Sequence, residues 1–207
     1  QAINRSNQAL RYLPLLDKAD ASLRSRLEGE AKFLRAHFYF SLKRNYNNTP
    51  YVDETVDYGS GLEEIKNDKD LWPFIIADLE YAVANLPATQ PQVGRVNQWA
   101  AKAYLGKVYM YMKDYTNAKA EFDDVIANGV TSNGLKYDLV PYYDDMFRGA
   151  NDNHQESVWA YQAAAGTGSV LNANPEFDLN FPYNTGPAGP GNCCGFFQPS
   201  FTFVNAF

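Results

Sequence analysis

The run EGEAKFLRAHFYFSLKRNY, Glu28 to Tyr46, constrains the fold more than any other part of the chain. Helical spacing gives it two apolar stripes, one through Ala31, Leu34, Phe38 and Leu42 and the other through Phe33, His37, Phe40 and Arg44. A surface helix of a compact domain needs a single stripe. Two stripes call for neighbours on two sides, which is how helices sit in stacked arrays.

Punctuation places four more helices around it. The first spans about Gln1 to Leu16 and leads through the polar connector Asp17 to Ala21. Another follows the N-cap candidate Asp70, with Trp72, Ile75, Ile76, Leu79, Ala82, Val83 and Leu86 on one face before Pro87 ends it. A fourth runs from Asn97 to Lys113, and a fifth starts at the cap candidate Thr116. Asn128 and Gly129 are expected to close the fifth with a left-handed turn.

The last pair carries more than periodicity. Leu105, Gly106 and Tyr109, then Ala118 and Phe122, fall at the spacings L-G-x-x-Y and A-x-x-x-F of a tetratricopeptide repeat. Gly106 and Ala118 lie where the two helices cross closely, and Tyr109 and Phe122 fill the space around that crossing. Lys102 stands at the usual Trp position and Val130 at the usual Pro position. A weaker copy comes earlier, with Phe33, Leu34 and Ala36 in its first helix and Ala82 and Leu86 in its second. Between those helices lies a long insertion, Asn47 to Lys69. Its composition suits a solvated acidic excursion slightly better than a binding loop.

Beyond Gly129 the pattern changes. Glu156 to Gln162 alternates like a short strand, with Val158 and Ala160 on one face and Trp159 and Tyr161 on the other. From Leu179 to Phe207 the chain has no charged residue but many aromatics among Gly and Pro, so this stretch should be covered by protein, partner or ligand. For Phe201 to Phe207, cover by further chain is the simpler reading. The expected fold is mainly α, a tetratricopeptide-like scaffold over residues 1–129 with long insertions. A loop-rich, minor-β, ligand-side segment fills 130–207, and the whole forms a single domain.

Charge narrows the function. Lys+Arg 18 against Asp+Glu 24 gives a net charge of -6, which repels phosphate backbones and argues against nucleic acid as a partner. No apolar run is long enough to cross a bilayer, and the start QAINRSNQAL lacks a basic region followed by an apolar one. Both ends read as cut from something longer. Cys193 and Cys194 are adjacent, so a bridge between them would close a strained ring, and two free thiols are the better reading. Neither His37, inside a helix, nor His154, in a polar turn, has a nucleophile or ligand cluster beside it in sequence. The adjacent carboxylates Asp123 with Asp124 and Asp144 with Asp145 point apart on a helix. An enzyme, a cofactor and a metal site are therefore not expected.

Several motifs in order resemble the SusD/RagB family of bacterial outer-membrane nutrient-binding lipoproteins, known from Bacteroidetes. Ile3 and Asn7 match its I-x-x-x-N. Glu30, Ala31, Phe33, Leu34, Arg35, Ala36, Tyr39 and Phe40 match its E-A-x-F-L-R-A-x-x-Y-F, and Pro50 the Pro of the following turn, although Asn47 and Asn48 replace the common Gly-Gly. Ile75, Asp78, Leu79, Ala82, Leu86 and Pro87 match I-x-x-D-L-x-x-A-x-x-x-L-P. Gly94, Arg95, Ala100 to Ala103, Leu105, Lys107 to Tyr109 and Tyr111 match the next element. Pro199, Ser200 and Val204 to Phe207 resemble a later helix.

The resemblance implies a surface protein that collects glycans, or in some branches peptides, and acts as a lid on a TonB-dependent barrel transporter. It implies a lipid anchor to the outer membrane outside this segment, and family chains more than twice this length. The alternative is a tetratricopeptide scaffold that binds peptides or partner proteins in its concave face. A sugar ring offers an apolar C–H face and a rim of hydroxyls, so flat aromatics with amides beside them make the candidate site. By that chemistry alone the candidates are Tyr183, Phe181, Phe196, Phe197, Asn180, Asn184, Asn192, Gln198, Trp159 and Tyr161, with Asn47, Asn48, Tyr51 and Tyr58 in the insertion. Strand placement favours a packing role for Trp159, whereas Tyr183 is as open to ligand as to packing.

Overall fold

A computed structural model describes residues 1–56 and 64–163, together with Thr202 and Asn205. The chain separates into two compact units, Gln1–Ala160 and Tyr161–Phe207. Among the described residues the first unit is built from five α-helices: α1 Ala2–Tyr12, α2 Ala21–Tyr46, α3 Trp72–Asn85, α4 Gln98–Met112 and α5 Tyr115–Asn128. Each packs against the next in sequence, the arrangement of a helical array.

Helix α2 is longer at its start than its apolar pattern suggests. Asp20 caps it, its carboxylate accepting the Leu23 N–H at 2.7 Å. The helix ends at Asn47, whose φ of 62° lies on the positive side that Asn tolerates better than most residues. Neighbours do lie on both sides, α1 and α3. The deepest positions are nevertheless Phe33, Ala36 and Phe40 with Arg35 and Tyr39, while Leu34 of the expected stripe is 37% exposed. Leu71, Ile75, Leu79 and Val108 complete the most buried core.

Three expected boundaries are corrected. Helix α1 gives way after Tyr12 to a 3-10 turn, Leu13–Leu15, because Pro14 cannot continue the α ladder. The cap of α5 is Asp114, which accepts the Asn117 N–H at 3.2 Å, and not Thr116. Gly129 is extended, with φ -68°, and not left-handed. Its lack of a side chain serves packing instead, since a Cβ there would sit 2.7 Å from the Tyr137 ring.

The helix crossings follow the repeat pattern. A Cβ on Gly106 would lie 2.8 Å from the Phe122 ring, so the α4–α5 crossing depends on that glycine. Gly29 plays the matching part in α2, where a Cβ would lie 3.1 Å from Leu86, the residue that follows α3. Lys102, at the position a Trp usually fills, ties α4 to α5 through Asp124 at 2.7 Å and Glu121 at 3.4 Å. Asn97 caps α4 and is fully buried. It accepts the Ala100 N–H and donates to the carbonyls of Ala88 and Val130, which fixes both flanking loops.

The strand expected at Glu156 to Gln162 is absent. These residues form turns, bends and irregular chain, and an isolated bridge between Val130 and Lys136 is the sheet-like pairing found among the described residues. Alternation needs a partner strand to become a ladder, and here Trp159 turns onto the helices instead. No helix among the described residues is long and apolar enough to cross a membrane.

Candidate functional site

Three of the motif residues meet at one buried point. Arg35 of α2 grips Asp78 of α3 with two bonds, 2.7 Å from Nε and 2.8 Å from Nη2, and its Nη1 reaches Asn7 of α1 at 3.0 Å. The same Nη1 also bonds the Glu54 carboxylate. Burial works against the Arg35 charge, yet its bonds to Asp78 and Glu54 hold the guanidinium above its ordinary pKa. For Glu54 burial again opposes ionisation, and Arg35 outweighs it to pull the carboxyl below its ordinary value.

This cluster fastens the start of the insertion. Asn7 donates to the Val52 carbonyl at 2.9 Å, and the Tyr39 hydroxyl both donates to that carbonyl and accepts the Val52 N–H. Arg11 adds bonds to the carbonyls of Glu54 and Val56. Tyr51 is buried, stacked on Phe74 with ring centres 3.9 Å apart. Tyr51, Val52 and Glu54 of the insertion are thus docked on the array, not solvated as their composition suggests. Asn48 is exposed, and its carbonyl accepts from Asn67 at 2.9 Å.

Trp159 stands edge-on to Phe33 at 5.0 Å and to His37 at 5.3 Å, and its indole N–H reaches the Gly94 carbonyl at 3.3 Å. His37 faces its neighbour helix, with Nδ1 2.9 Å from the Tyr104 hydroxyl. Burial, then Lys107 and Arg44, lower the His37 pKa below 6.5, which keeps the ring neutral at pH 7. Glu30 joins Arg95, Arg26 and Gln90, so the motif's glutamate and the later Gly-Arg pair are also brought together.

Beyond α5 the loops border an open depression of about 350 Å³ that the sequence did not reveal. Asn133, Asp145, Asn151, Asp152 and His154 line it with Leu135, and Val140 and Pro141 form part of one wall. The walls are pinned by side chains. Asn133 donates to the Asn153 carbonyl at 3.2 Å, Asn151 to the Asp145 carbonyl at 3.2 Å, and Gln155 to the Leu139 carbonyl at 2.7 Å. Glu156 accepts the Val140 N–H at 3.0 Å. Asp144 and Asp145 belong to no α-helix. They lie on a 3-10 turn, Tyr143–Phe147, and both approach Arg148.

Of the residues expected at a sugar site, Trp159, Tyr51, Asn47 and Asn48 are placed as above. Tyr58, Phe181, Tyr183, Asn180, Asn184, Asn192, Phe196, Phe197 and Gln198 lie outside the described residues, as do Cys193 and Cys194. Among the described residues no group of three His, Cys, Asp or Glu side chains is arranged to hold a metal ion.

Residues 1–110 match the model of a family described as starch-binding and associating with the outer membrane, SusD-like. The chain belongs to the SusD-like family. It is 34% identical to a SusD-like protein of Bacteroides ovatus over 141 residues, 64% of this chain and 25% of that relative. The chain therefore spans a minor part of the length of this relative. Among solved structures it resembles a protein crystallised with a xylogluco-oligosaccharide, at 27% identity and a TM-score of 0.73, covering 93% of this chain and 39% of that one. It also resembles a laminarin-binding SusD-like protein, at 30% identity and a TM-score of 0.66, covering 79% of this chain and 37% of that one. The motif positions Asn7, Arg35 and Asp78 are legible in this SusD-like sequence as a pattern; their meeting around Glu54 is not.

Proposed function

We propose that this chain is the scaffold-bearing part of a cell-surface protein that captures glycan and passes it to a partner TonB-dependent barrel transporter in the outer membrane. The likeness to the laminarin-binding SusD-like protein carries this reading. In it, helices α1 to α5 supply a rigid frame, and the ligand is met by loops in the segment 130–207. A lipid anchor outside this segment holds the protein to the outer leaflet. The role is capture and not catalysis. His37 is engaged with Tyr104, and His154 accepts the Glu156 N–H at 3.1 Å, which supports structural duties for both.

Stacking on aromatic faces and bonding to amides would hold the sugar, with Tyr183, Phe181, Phe196, Asn184 and Asn192 as the residues to test and Trp159, Asn48 and Tyr58 as second candidates. The test is retention of soluble glycans, laminarin and xylogluco-oligosaccharide among them, on the complete protein and on Tyr183→Ala. Binding that weakens at least tenfold in the variant is the expected result. If no glycan is retained at millimolar concentration, capture of peptides or scaffolding replaces this reading.

A further inference from the structure

The loop depression after α5 has the chemistry of a second sugar subsite. Its volume of about 350 Å³ falls within the range of about 300–1,000 Å³ typical of small-molecule sites. The lining mixes amides, carboxylates and an imidazole with the apolar Leu135, Val140 and Pro141, and holds neither Lys nor Arg. Such a mixture suits a ring that presents hydroxyls at its rim and C–H bonds on its faces.

Its polar groups divide into those that build the wall and those left over. The amide nitrogens of Asn133 and Asn151 are used on backbone carbonyls. His154 accepts the Glu156 N–H through Nδ1, which leaves the Nε2–H as a donor. That N–H and the Asn151 side-chain oxygen are not used in the wall-building bonds, and the Asp152 carboxylate is exposed at the mouth of the depression. One donor and two acceptors therefore remain for a ligand whose hydroxyls can serve either role.

An aromatic platform lies on the same segment. Tyr143 and Phe147 are 77% and 73% exposed, and their rings meet edge to face at 5.3 Å. Asp145, between them, is a wall residue of the depression. Because side-chain bonds to the backbone already fix the walls, little ordering remains to be done on binding. Of the two lining carboxylates Asp145 faces Arg148 at 3.7 Å, so Asp152 is the one that disfavours acidic sugars.

We infer that the depression bounded by Asn133, Asp145, Asn151, Asp152 and His154 binds one unit of a neutral glycan, with Tyr143 and Phe147 extending the contact. The inference rests on the glycan-capture reading and adds a location and a ligand class to it. The test is calorimetric titration of the complete protein with laminarihexaose, a xylogluco-oligosaccharide and an oligogalacturonate. The variants are Asp152→Ala, His154→Ala and Tyr143→Ala, each checked for an unchanged melting temperature.

At least one neutral oligosaccharide should bind, each variant should weaken it by at least fivefold, and the oligogalacturonate should bind at least tenfold more weakly. Hydrogen exchange should slow in residues 133–154 on adding the neutral sugar, a readout that stands even where a variant folds poorly. If the unmutated protein binds a neutral glycan and all three variants match it within twofold, with no added protection at 133–154, this site is wrong and the capture reading stands. If the unmutated protein binds no glycan, both fall.

Discussion

Removing the Asp78 carboxylate should be among the most damaging single changes in the helical array. Its side chain is 7% exposed and that of Arg35 4%, so both charges are held out of water and each depends on the other. With Asp78→Ala the guanidinium keeps only Asn7 and the partly exposed Glu54. Breaking a buried pair from one side costs about 3–5 kcal/mol, and the surviving Glu54 contact places this case near the lower end, about 3 kcal/mol. With a urea slope of about 2 kcal/mol per molar, the midpoint should fall by roughly 1.5 M while the slope stays the same. Replacing both partners, as Arg35→Met with Asp78→Leu, should recover part of that loss, because the buried pair is gone while the partly exposed Glu54 and Asn7 lose the guanidinium. A loss below about 1 kcal/mol for Asp78→Ala, or a double variant as unstable as the single one, would refute the reasoning.

Three other outcomes follow from the packing and the charges. Gly106→Ala should destabilise by about 1–2 kcal/mol, since crowding Phe122 outweighs the gain in helix propensity. Gly29→Ala should change stability by less than about 1 kcal/mol, because the flexible Leu86 side chain can yield; thermal melts of the pair decide the contrast. Asn97→Ala removes a cap and the donors to two loop carbonyls, so urea unfolding should show a loss of about 2 kcal/mol or more. The His37 pKa is lowered in the folded state, so its contribution to stability is complete above pH 6.5 and is lost as pH falls through the folded value. Replacing His37 with Gln should flatten the stability profile below pH 6.5, and an unchanged slope there would contradict the assignment.

The helices were legible in sequence because each repeats its apolar contacts every turn, a signal that survives without knowledge of partners. Their starts were less so. Asp20 does not stand out as the cap of α2, because the residues after it, Ser22 to Arg26, carry little apolar pattern. The alternation of Glu156 to Gln162 resembled a strand, yet a period of two records only which side chains face one way and not whether another strand lies beside them. Asn7, Arg35 and Asp78 could be seen as motif members, but their meeting joins positions 28 and 43 residues apart, which no local spacing encodes. The depression after α5 leaves little mark in the sequence for a related reason. Loops have no period, and the one hint was a concentration of Asn and Asp around Gly134 and Asn153, both with positive φ.

The docking of the insertion has a consequence for how freely it can vary. Its entry is clasped by Asn7, Tyr39 and Arg35, and its exit by Lys43 at 2.9 Å from Asp70, while Asn67 reaches back to Asn48. With both ends held to the helices, substitutions at Asn7, Tyr39, Arg35 or Lys43 act on the insertion as well as on the array, so these positions and their partners in the loop can change only together.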